Sequence, residues 1–68
     1  MNCKIIKDGD STKIGTIAES ISMYTGAKYF DVSITDSGKP YYSCNCSSLE
    51  YAEYVANKNR CSKIYYIN

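Results

Sequence analysis

Apolar and polar positions follow two rhythms along this chain, a two-residue alternation and a helical spacing, and together they predict six elements. Asn2–Lys7 alternates, with Cys3 and Ile5 on one face and Asn2, Lys4 and Ile6 on the other, which predicts a short first strand. Asp8-Gly9-Asp10 is a run of turn formers that ends it. Ile14, Ile17, Ile21 and Tyr24 then recur at helical spacing, joined by Ala18, and predict an amphipathic helix. Asp10 or Ser11 would cap its start and Gly26 would stop it in a left-handed conformation. Gly15 inside it costs about 1 kcal/mol against Ala.

Lys28–Thr35 alternates cleanly, with Phe30, Val32 and Ile34 on one face and Tyr29, Asp31, Ser33 and Thr35 on the other. The next strand, Pro40–Cys46, turns Tyr42, Cys44 and Cys46 inward and Tyr41, Ser43 and Asn45 outward. Between them a three-residue loop, Asp36-Ser37-Gly38, would set Val32 opposite Tyr42 and Phe30 opposite Cys44, keeping apolar groups together. A two-residue loop would instead set Val32 against Ser43. Ser47-Ser48-Leu49-Glu50 matches a capping box, with Ser47 as the cap and Glu50 reaching back, and predicts a second helix to about Asn59, with Leu49, Ala52, Val55 and Ala56 as its buried stripe. Lys63–Ile67 closes the chain as a strand.

The predicted order is βαββαβ. Two right-handed βαβ halves would build a ferredoxin-like fold: a four-stranded antiparallel sheet of order 4-1-3-2, with both helices on one face. Sixty-eight residues leave room for one domain, spanning 1–68. Tyr24 and Tyr42 are expected in its core.

Composition narrows the function classes. Eight Lys and Arg oppose seven Asp and Glu, which excludes binding of nucleic acid by bulk charge alone. No apolar run is long enough for a membrane-spanning helix, and no apolar stretch follows Met1 as an export signal would require, so a cytosolic protein is expected. Lys, Asn, Ile and Tyr make up 28 of the 68 residues; their codons are AT-rich, which suits an AT-rich bacterial or phage genome.

Catalytic chemistry finds little to build on. The chain has no His to act as a base near neutral pH, no glycine-rich phosphate loop and no nucleophile elbow, so a non-enzymatic protein without a cofactor is expected. Asp8, Asp10, Thr12 and Glu19 fall at calcium-loop offsets, but Lys13 stands where such a loop needs glycine. The four cysteines lack a C-x₂-C pair, and in the expected topology Cys61 lies at the far end of the sheet from Cys3 and Cys46, so no four-cysteine zinc site is expected. Cys3, Cys44 and Cys46 are expected as small core hydrophobes, with Cys3 close enough to Cys46 for a bridge on oxidation.

Tyrosine is the conspicuous feature: eight Tyr, one Phe and no Trp. Strand parity leaves Tyr29, Tyr41 and one of Tyr65 or Tyr66 on the sheet face away from the helices, with Lys4 and Ile6 between them. Tyrosine combines large contact area with few torsions and a polar tip, which suits a docking surface. We expect partner contacts through Tyr29, Tyr41, Tyr65, Lys4, Arg60 and Lys63. The first partner considered is a host protein or nucleoprotein complex, blocked sterically. In size and style the chain is similar to small phage or mobile-element inhibitors such as anti-CRISPR proteins. The alternative is RNA or single-stranded DNA stacked on the tyrosines. RNA-recognition-motif domains share the expected topology, but Pro40 replaces their third-strand glycine and Ser43 an exposed aromatic. A homodimer burying the same face is the third expectation.

Overall fold

The computed structural model describes residues 2–67. They form β1 (Asn2–Ile5), β2 (Asp10–Ile21), β3 (Lys28–Asp36), β4 (Lys39–Cys46), α1 (Leu49–Lys58) and β5 (Cys61–Ile67). The five strands make one mixed sheet of order β1-β5-β2-β3-β4. β5 runs antiparallel to β1 and parallel to β2, while β2, β3 and β4 form an antiparallel meander. β4 and β5 therefore run the same way, and α1 is the crossover that such a connection requires.

This overturns the ferredoxin-like expectation of four antiparallel strands with two helices. The expected first helix is the twelve-residue strand β2. Its apolar stripe splits between faces: Ile17 is 2% exposed in the core, Ile14 points to the opposite face, and Ile21 and Tyr24 are 64% and 99% exposed. Thr12, Ile14, Thr16, Ile17 and Ile21 are β-branched, which favours a pleated strand over a helix. Gly26 does adopt a left-handed conformation (φ 73°), but in the loop between β2 and β3, where its N–H donates to the Ser22 carbonyl.

The β3–β4 connection also differs. Asp36 pairs with Lys39 across the two-residue loop Ser37-Gly38, whose φ angles of 54° and 82° are those of a primed turn that matches sheet twist. A bulge then shifts the register between Ile34 and Thr35, so that Val32 opposes Cys44 and Phe30 opposes Cys46. The extra residue restores the apolar pairing that a plain two-residue hairpin would have lost.

The N-cap of α1 is Ser48 and not the expected Ser47: the Ser48 hydroxyl accepts the Tyr51 N–H at 3.1 Å. Ala52, Val55 and Ala56 bury its inner stripe, whereas Leu49 is exposed. The helix lies close to the sheet because small residues meet there. A Cβ on Gly15 would sit 3.3 Å from the Cys61 sulfur and 3.6 Å from the Ala56 Cβ. Ile17, Val32, Ile34, Cys46, Cys61 and Ile64 complete the core, with Ile6, Phe30, Cys44 and Tyr66 packed at its margin. Tyr42 and Tyr24 are exposed and not core residues.

Candidate functional site: the uncovered sheet face

One helix covers one face of a five-stranded sheet, and among the described residues no element covers the other. The register fixes what that face displays. One row runs Cys3, Tyr65, Thr16, Ser33, Ser43 from edge to edge. A second runs Ile5, Lys63, Ile14, Thr35, Pro40, and a third Ile67, Ala18, Asp31, Asn45. Two halves result. On β1, β5 and β2, Ile5, Ile14, Tyr65 and Ile67 form an apolar patch in which Ile5 and Ile67 are 63% and 42% exposed. On β3 and β4, Ser33, Ser43 and Asn45 are small and polar, and they line a shallow depression with Thr16, Ala18 and Asp31. Charge on these rows is confined to Lys63 and Asp31.

The expected contact residues divide. Tyr65 and Lys63 lie on this face, two residues apart on β5, and Tyr29 joins them at the start of β3 opposite Ser20. Tyr41 is exposed at the β4 bulge, where the Lys13 ammonium stands 4.3 Å from its ring centroid. Lys4 belongs to the other side: it faces α1, with its ammonium 3.9 Å from the Glu53 carboxylate. Glu53 also accepts a hydrogen bond from the Tyr66 hydroxyl, which assigns Tyr66 to the helix side and leaves Tyr65 outward. Ile6 packs on the core and Ile5 does not, so β1 presents the face opposite to the one expected. Arg60 is exposed at the joint between α1 and β5. It ends α1 in a left-handed conformation (φ 62°), its carbonyl accepts the Asp10 N–H at 2.7 Å, and its guanidinium donates to the Asp8 carbonyl at 3.3 Å.

Sequence reasoning missed Ile5, Ile14 and Ile67. Their signal was an excess of isoleucine over inward positions. Ile5 and Ile6 are adjacent and cannot both face inward in a strand. It also missed a second aromatic cluster outside α1, where Tyr51 and Tyr54 stack with centroids 5.8 Å apart.

Hydrogen bonding and burial shift several titratable groups. Backbone and hydroxyl hydrogen bonds from Thr12 lower the Asp10 pKa. Burial and the bond to Glu53 push the Tyr66 hydroxyl up to about 12. Burial, then the Cys44 thiol beside it, pushes Cys46 up to about 11, and burial raises Cys61. The four cysteines are free thiols. Cys3 lies on edge strand β1 and Cys46 on the opposite edge strand β4, with β5, β2 and β3 between them, so the two cannot bridge. Among the described residues no three His, Cys, Asp or Glu side chains gather as metal ligands, and no helix is long and apolar enough to cross a membrane.

No family model, no curated protein and no solved structure matches the chain.

Proposed function

We propose that the chain is a non-enzymatic protein-binding module that lays its uncovered sheet face on another protein and blocks a site there. The observation that carries this reading is the apolar half of that face, where Ile5 and Ile67 stand exposed around Tyr65 and Ile14. Exposed apolar side chains gathered on one face beside polar groups favour a contact surface. Tyr65 is the central anchor, Lys63 stands between Ile5 and Ile14 as the one cation among them, and Asp31 and Tyr29 lie on the polar side. A protein partner fits better than nucleic acid because the face offers one cation against one carboxylate. A stacking platform would also need aromatics on neighbouring strands, and only Tyr65 lies near the centre. Inhibition by occlusion, in the style of small phage or mobile-element products, requires no more chemistry than this. The setting is the cytosol of a bacterial host, where thiols stay reduced.

The test is recovery of a tagged chain from bacterial lysate, with and without nuclease, beside the double variant Ile5→Glu/Ile67→Glu. A stoichiometric partner that survives nuclease and is lost with the variant is the expected result. Recovery that disappears with nuclease would move the function to nucleic acid. Equal recovery by the variant would remove the sheet face from the site.

A further inference from the structure

Cys44 and Cys46 are two positions apart on β4, so both side chains leave the strand toward the helix side. Their sulfurs are 3.8 Å apart. Cys44 is half-buried and Cys46 buried, with Val32 and Phe30 opposite them on β3. Among the described residues β4 has no neighbouring strand on its outer side, and Cys44 is the part-exposed sulfur of the pair.

Two sulfurs bound to one tetrahedral zinc-group ion at a metal–sulfur distance of about 2.3 Å stand roughly 3.8 Å from each other. We propose that Cys44 and Cys46 form a chelating dithiol that binds one thiophilic divalent d¹⁰ cation, Zn²⁺ or Cd²⁺, through both sulfurs. Two metal–sulfur bonds form, and each thiol releases its proton to solvent. Water fills the remaining positions on the side of the part-exposed Cys44. The floor beneath the sulfurs is apolar, and a divalent ion with two thiolates is net neutral, so no buried counter-charge is needed.

Chelation is favoured over a disulfide by the backbone. Residues two apart on a strand are about 6.6–6.8 Å apart, at the outer limit of disulfide geometry. The site also differs from a four-cysteine centre. Cys3 projects from the other sheet face at the other edge, and Cys61 lies under α1 beside Gly15. The titratable neighbours are the Tyr42 hydroxyl on β4, next to Cys44, and Tyr51 on α1; β3 contributes none there.

The test is titration of the reduced protein with Cd²⁺, followed by ultraviolet thiolate-to-metal absorbance and by native mass spectrometry. Wild type and Cys3→Ser should saturate at one equivalent, with one cadmium replacing two protons in the mass. Cys44→Ser, at a half-buried position and checked for folding by circular dichroism, should lose the one-equivalent band, since a single sulfur cannot chelate. Affinity should rise steeply with pH, because two protons leave per ion. Absence of the band in wild type, or an unchanged band in Cys44→Ser, would overturn the assignment. Loss of the band in Cys3→Ser would do so equally.

Discussion

Replacing Gly9 by Ala should damage this fold more than any other glycine substitution. Gly9 lies in the turn between β1 and β2, where its N–H reaches the Ile6 carbonyl at 3.2 Å. A Cβ there would stand 2.2 Å from the Cys61 carbonyl oxygen, 2.6 Å from its carbon and 2.6 Å from the Ser62 Cα. All three are backbone atoms, so no side chain can rotate away, and relief needs a shift of about 1 Å between the turn and β5. Two hydrogen bonds cross that seam, Asp10 N–H to the Arg60 carbonyl at 2.7 Å and Ile6 N–H to the Ser62 carbonyl at 2.8 Å. Overpacking of about 1–3 kcal/mol, with weakening of bonds worth about 1 kcal/mol each, puts the loss near ~3 kcal/mol. At 0.05–0.15 kcal/mol per residue the whole domain holds only about 3–10 kcal/mol. A melt followed by circular dichroism should show Tm falling by about 12–24 °C, from 4–8 °C per kcal/mol in a domain this small. Gly38→Ala is the comparison. Nothing lies within 4 Å of its Cβ position, and only its φ of 82° resists a side chain, so the loss should be about 1 kcal/mol. A Gly9→Ala protein melting within about 3 °C of wild type, on that same scale, would refute the reasoning.

Three further substitutions or treatments read other parts of the structure. Ile64→Ala empties a fully buried position on β5 and should cost about 2–5 kcal/mol, seen as a lower urea midpoint at unchanged slope. Tyr66→Phe bears on alkaline stability. Its hydroxyl titrates near 12 when folded against an ordinary 10, so the contribution is complete below pH 10 and is lost as pH rises toward 12; the variant should lose less stability than wild type across that window. A thiol reagent at pH 8 should modify exposed Cys3 quickly and reach Cys46 and Cys61 only on unfolding, since both are buried with raised pKa values. Reaction of all four thiols at one rate in the native protein would contradict that.

The elements legible from the chain were those with two agreeing signals. α1 combines a serine cap with the Ala52, Val55, Ala56 stripe, and β5 follows it at the expected place and pairs antiparallel with β1. β2 was misread because positions 14, 17, 21 and 24 satisfy a helical period, whereas a strand divides them between two faces. What settles the choice is tertiary: Gly15 lies under Ala56 and beside Cys61, residues far along the chain. The β3–β4 register needed a bulge that no local pattern announces. Parity placed Tyr29 and Tyr65 on the uncovered face, but it did not place Lys4 correctly. The face of β1 depends on which of Ile5 and Ile6 meets the core, and the choice between Tyr65 and Tyr66 depends on Glu53 reaching across from α1.

The claim on which the rest depends is that β2 is a strand and one face of the sheet is uncovered. Isoleucine methyl NMR with a soluble paramagnetic agent tests both at once, since Ile residues occur on each face. The structure requires Ile17, Ile34 and Ile64 to stay sharp while Ile5, Ile21 and Ile67 broaden. Ile5 and Ile67 as well shielded as Ile64 would mean that the face is covered. Ile14, Ile17 and Ile21 shielded together would mean that Asp10–Ile21 is a helix.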